Sequence, residues 1–272
     1  MKNFKIALSS ADAANESSPI LLTGSICENL KTAGTIGYDA IEIHLRENDD
    51  IRYEDIIKTG EQNKVKIASI VTGRLAVQRK ISLTDASERN ASIAYKGVLK
   101  YIDIAARFNT DIIIGWIRGK RLTQSRDAYE ALLAEKIKKL ETYAQAKNVR
   151  VFVEAINRYE INTMNTAEEI MHWIEKYKLV NTYVHLDTFH MNIEEADISK
   201  AIELCGKKLG YIHFADSNRY YPGAGHIDFE SILKSLDKIE YDGYLSVECL
   251  PFPERTIAAS KALKTLKNII DQ

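Results

Sequence analysis

The 272-residue chain has little cysteine: Cys27, Cys205 and Cys249 stand far apart, with no CxxC pair and no paired framework. A disulfide scaffold is excluded, and a reducing compartment such as the cytoplasm is the natural setting. Net charge is equally scant. The 37 basic residues against 38 acidic ones leave a formal charge of −1, too little for a general attraction to nucleic acid or to an anionic membrane. No apolar run approaches the roughly 20 residues that span a bilayer, and "MKNFKIALSS" enters a short strand without the apolar core of a signal peptide. After that strand, "ALSSADAANES" is not a Gly-rich phosphate turn, and no low-complexity linker divides the chain. A single domain over 1–272 is expected, with a small-molecule partner and no nucleic-acid or membrane partner. A homo-oligomer is compatible with this reading.

What is present is a large core: 45% of residues are apolar and 28% charged. Short apolar, β-branched runs alternate with helical patterns. They are "FKIAL" from Phe4, "DAIEIHL" from Asp39, "VKIASIV" from Val65 and "DIIIGW" from Asp111, then "VRVFVE" from Val149, "TYVHLD" from Thr182, "LGYIHF" from Leu209 and "GYLSVE" from Gly243. Continuous apolar runs suit parallel strands covered on both faces. Thr166 with Glu169 forms a capping-box pattern, and Asp197 and Asp228 stand as N-caps before helical stretches. Eight strand signals and about eight helix signals indicate an α/β fold, the (β/α)8 TIM barrel. An open doubly wound sheet is the alternative. The longest irregularity, Thr72 to Asn90, follows the third strand on the side where barrels keep their chemistry, so it is expected to cover the site.

The last four strands share one peculiarity. "VRVFVE" ends in Glu154, "TYVHLD" in Asp187 and "GYLSVE" in Glu248, while "LGYIHF" carries His213. Alone, His213 reads as a core histidine with a satisfied ring. Four polar residues at successive parallel strand ends converge on one rim, however. Three carboxylates and an imidazole suit Mn2+, Mg2+ or Co2+ and leave positions for substrate oxygens; structural zinc usually has thiolates. Rim salt bridges are the plain structural alternative. Glu42 and His44 share a parity on the second strand and give a weaker signal of facing the pocket, and His185 shares parity with Asp187 one layer deeper.

The segments "VEAINRYEINTMNT", "HLDTFHMNIEE", "IHFADSNRYYPGAGHIDF" and "LSVECL" resemble the metal-site motifs of the xylose-isomerase-like barrels. Within these they are most similar to the sugar phosphate isomerase/epimerase branch that includes the ketose 3-epimerases. That resemblance implies that Glu154, Asp187, His213 and Glu248 bind one divalent metal, commonly Mn2+ (Mg2+, Co2+ or Zn2+ being alternatives), and that Glu154 and Glu248 also act as the acid/base pair. It further implies that Glu160, His190 and Arg219 contact a small sugar or sugar-phosphate substrate.

The implied chemistry accounts for two carboxylates. A metal bridging ketose O2 and O3 stabilises the enediolate, one glutamate takes the proton, and the other returns one to the opposite face. Opposed carboxylates give C3 epimerisation, whereas proton transfer between adjacent carbons gives aldose–ketose isomerisation; the sequence leaves both open. Other readings are an isomerase or dehydratase of a hydroxypyruvate- or inosose-type compound, a non-catalytic metal-binding barrel, and an endonuclease IV-like AP endonuclease. The last needs extra histidines from the first strands, where only His44 is offered. Arg118, Lys120 and Arg121 after the fourth strand, with Arg74, form a candidate phosphate grip. A solvated basic loop or a subunit interface is the alternative.

Overall fold

The computed structural model describes residues 4–46 and 51–272. Among the described residues nine strands follow in chain order: β1 Lys5–Ala11, β2 Leu22–Thr23, β3 Ala40–His44, β4 Lys66–Val71, β5 Asp111–Ile114, β6 Val151–Glu154, β7 Thr182–Asp187, β8 Leu209–Phe214 and β9 Tyr244–Val247. All pairings are parallel. The two-residue β2 extends the sheet beside the end of β1, while β3 to β9 run in order and β9 returns to β1 with Lys5 opposite Tyr244. The sheet is therefore a closed barrel of eight strands, and every expected strand is one of its staves.

Alternation along each strand sorts side chains between two layers. Leu8, Ile41, Ile70, Ile112, Val153 and Val247 face the helices and belong to the main core. Ala7, Ala40, Val71, Ile113, Phe152 and Tyr211 belong to a separate cluster, whose strand parity turns it to the barrel axis. On β3 the inward parity continues from Ala40 to Glu42 and His44, so the barrel interior becomes polar towards its C-terminal mouth. Small residues near the axis leave room for the aromatic rings of Phe152 and Tyr211, which stack at 5.7 Å.

The helix ends follow local chemistry. Asp197 caps Ile198–Cys205 and Asp228 caps Phe229–Lys238, each accepting from a backbone N–H three residues on. The expected box at Thr166 is only half formed. Thr166 Oγ1 accepts from Glu169 N at 3.2 Å, but the Glu169 carboxylate takes Asn165 N–H at 2.6 Å and Arg126 at 2.9 Å. The long segment after β4 contains the helix Gly73–Arg79 before the main helix Glu88–Phe108. No helix of the described residues is long and apolar enough to cross a membrane.

Candidate active site and metal centre

Four adjacent strands deliver the four expected residues to one rim, all with less than a tenth of their surface exposed. Glu154 is the last residue of β6. Asp187 ends β7 and also caps the helix Thr188–Glu194, its Oδ1 accepting from Phe189 N–H at 2.8 Å. Glu248 lies one residue beyond β9, its N–H donating to the Phe214 carbonyl at 3.3 Å. His213 Nδ1 is 3.7 Å from Asp187 Oδ2 and 3.4 Å from Glu248 Oε2. His213 Nε2 is 2.8 Å from Glu42 Oε2.

This geometry fits an ion. His213 Nδ1 is buried and has no hydrogen-bond partner, which is costly unless something accepts its lone pair. Asp187, His213 and Glu248 each offer a donor atom within 4.8 Å of the others, and Glu154 forms such groups with Asp187 and His190 and with His185 and His213. Carboxylate oxygens with one imidazole nitrogen form a hard, oxygen-rich donor set.

The same crowding sets the electrostatics. Burial pushes the Glu154 carboxyl up to about 8; the charges of Glu248 and Asp187 add to the rise and His213 opposes it. Burial works against the Asp187 carboxylate too, but the Arg219 guanidinium beside it holds it well below the usual range. Arg219 Nη1 donates to Asp187 Oδ2 and Nη2 to Glu248 Oε2, both at 2.5 Å, while its guanidinium lies 4.8 Å from the Phe189 ring centre. Arg219 therefore reaches the metal-ligand candidates themselves, one step closer to the centre than a contact with substrate alone would require.

His190 and Glu160 meet through Asn157, which the sequence reading passed over. Asn157 Nδ2 donates to Glu160 Oε1 at 3.0 Å and to His190 Nδ1 at 2.7 Å, and its Oδ1 accepts from Tyr159 N–H at 3.0 Å. This pattern places the proton of a neutral His190 on Nε2, which is 3.8 Å from Glu154 Oε1. Burial keeps His190 below its ordinary pKa, in line with a neutral ring. His185 is fully buried and packs edge-on against His213 at 4.2 Å, as its strand parity implied.

These groups open into a cavity of about 910 Å3, whose wall includes His44, Glu154, Glu160, His190, His213, Arg219 and Glu248. The segment after β4 does cover one side, through Gly73, Arg74, Val77 and Gln78. The basic cluster, in contrast, does not face the cavity. Arg118 is fully buried and donates to the carbonyls of Thr163 at 2.8 Å and Met164 at 3.2 Å. Arg121 Nη1 reaches the Gln124 carbonyl at 3.3 Å, and Lys120 lies 5.9 Å from the Trp116 ring centre. The short 3-10 turn Trp116–Arg118 turns Trp116 into the cavity wall and Arg118 into the protein. Only Arg74 of the four lines the cavity, and it is paired with Asp12 Oδ1 at 2.5 Å. The phosphate grip that the sequence suggested is therefore not formed by these four residues.

A closed parallel barrel with three carboxylates and a histidine on successive strand ends defines a class, and the comparisons agree with it. A family model described as xylose isomerase-like TIM barrel matches residues 30–269, and the chain belongs to that family. Among curated proteins it is 39% identical over 112 residues to the L-ribulose 3-epimerase of Methylomonas sp. strain DH-1, an alignment covering 41% of this chain and 39% of that one. The chain thus spans about two fifths of that relative's length. It is 25% identical over 244 residues to the D-psicose 3-epimerase of Enterocloster bolteae, covering 86% and 79% of the two chains. A solved L-ribulose 3-epimerase superposes with a TM-score of 0.84 over 99% of this chain and 95% of its own, at 23% identity, a likeness of fold.

Proposed function

We propose that the protein is a divalent-metal-dependent epimerase that inverts C3 of a small free ketose, a pentulose or hexulose of the kind named for its relatives. The observation that carries this reading is the placement of two buried carboxyls, Glu154 and Glu248. They stand on strand ends with Asp187 and His213 between them. Such a pair can address a substrate carbon from two sides. One carboxylate removes the proton next to the carbonyl and the other supplies a proton to the opposite face.

Asp187, His213, Glu248 and Glu154 would hold the ion, with Mn2+ as our choice for an oxygen-rich set with one nitrogen. Bound there, a divalent ion supplies Lewis-acid stabilisation of the negative charge that develops on the substrate oxygens. His190 offers its Nε2–H to a substrate oxygen near Glu154, and Asn157 fixes the tautomer that makes this possible. Arg219 steers a second oxygen while neutralising Asp187 and Glu248, and Glu160 holds Asn157 in place. The paired state of Arg74 and the buried state of Arg118 favour a free sugar over a sugar phosphate.

The test is incubation of the Mn2+-loaded protein with L-ribulose, D-psicose and D-fructose in D2O, followed by NMR. Inversion at C3 with solvent deuterium at that carbon is expected. Formation of an aldose instead would replace the reading by aldose–ketose isomerisation, and no reaction with any ketose would remove it.

A further inference from the structure

Glu42 has no part in the chemistry above, yet it is fully buried at the heart of the barrel. Its Oε1 lies 2.7 Å from His44 Nε2. Its Oε2 lies 2.8 Å from His213 Nε2 and accepts from Ser69 Oγ at 3.1 Å and Ser246 Oγ at 3.4 Å. These partners come from β3, β4, β8 and β9. A carboxylate has about four lone-pair sites; three donors crowd Oε2 and a fourth meets Oε1, so Glu42 is largely taken up by its neighbours. His44, held by one of its oxygens, stands 3.7 Å from Glu248 Oε1.

We propose that Glu42 is the positioning residue of the metal centre, fixing the His213 tautomer from behind so that Nδ1 is presented to the ion. Glu42 accepts the His213 Nε2 proton, and the neutral ring must then carry its lone pair on Nδ1, the atom that faces Asp187 and Glu248 without a partner. The choice of a carboxylate follows from the count of donors. Two imidazole N–H groups and two hydroxyls converge here, and only a group with two acceptor oxygens and no hydrogen can face both rings. Glutamine in the same place would turn an NH2 towards one of them. Facing His213, that NH2 would drive the ring proton to Nδ1 and point it at the ion.

The inference rests on the metal-site reading, and its test separates the two. Mn2+ is titrated calorimetrically into the wild type and Glu42→Gln, with circular dichroism as a check of folding. The variant should bind about 10–100-fold more weakly, the usual cost of losing such a partner, with its fold retained. Independently, long-range proton–nitrogen NMR on the Mg2+-loaded wild type should show the His213 proton on Nε2, slow to exchange. This second readout stands even where Glu42→Gln fails to fold. A purely structural Glu42 would lower Tm and leave Mn2+ affinity unchanged. That outcome, or a proton on Nδ1 of the loaded wild type, overturns the proposal. A wild type that binds neither ion refutes the metal centre itself, and the role of Glu42 with it.

Discussion

Glu154 rests against a bare α-carbon: a Cβ at Gly115 would lie 2.3 Å from Glu154 Oε2 and 3.6 Å from Ile156 Cδ1. The end of β5 thereby leaves the space that the carboxylate at the end of β6 fills. Gly115→Ala must push the tip of the Glu154 side chain aside, which displaces the carboxylate more than it strains the wall. We expect kcat to fall by at least tenfold with a modest loss in Tm. Steady-state kinetics and a thermal melt check it; an unchanged kcat would show that Glu154 need not sit where it does.

Glu154→Gln and Glu248→Gln should each reduce turnover by about 10^2–10^4, the range for a positioned acid or base. Their amide oxygens can still meet an ion, so Mn2+ affinity should weaken without vanishing. Near-normal turnover in either variant would remove that residue from the proton-transfer pair.

Arg118 tests the free-sugar reading. Its guanidinium holds two buried carbonyls of the segment after β6, so Arg118→Ala leaves them unsatisfied at about 1–3 kcal/mol or more. Tm should drop, and any rise in KM should be equal for a ketose and its phosphate. A selective effect on the phosphate would reinstate a phosphate contact.

Asp216 ties down the loop that carries Arg219. Its Oδ1 accepts from Ser217 N–H at 2.7 Å and Ile227 N–H at 3.1 Å, and its Oδ2 from Gly223 N–H at 2.8 Å. Burial opposes the charged form, but backbone donors from Ile227, Gly225, Ser217 and Gly223 hold the carboxyl below its ordinary 3.8. A depressed folded-state pKa contributes stability that is complete above the unfolded value and lost as pH falls through the folded one. Urea melts should therefore show the wild type ahead of Asp216→Asn at pH 7, with the gap closing below about pH 4. A gap that stayed constant to pH 3 would exclude this linkage.

The sequence made the barrel and its candidate ligands readable for one physical reason. Parallel strands are apolar on both faces, so a carboxylate or imidazole at the end of one stands out, as Glu154, Asp187, His213 and Glu248 do. Glu42 was half visible, because parity placed it inward but nothing in one strand reveals partners on three others. Asn157 gave no such signal, since its importance lies in bonding His190 and Glu160 at once. Arg118 misled because nearness to a rim in sequence says nothing of direction; one tight turn sent it under the loop. The capping box at Thr166 kept its N-cap bond but lost the reciprocal one for a similar reason, with Arg126 and Asn165 competing for the Glu169 carboxylate.

The barrel closes by pairing its first strand with its last, Lys5 beside Tyr244, across nearly the whole chain. All four ligand candidates lie in the final 119 residues of the 272, yet the residue behind His213 comes from β3. Glu42 and His213 can therefore meet only when β3 and β8 share the closed sheet. Loop-closure entropy makes such distant pairings late and slow events in folding. If these candidates hold an ion as we propose, tight binding should arise at ring closure, and the ion would be a clock for the last step of assembly.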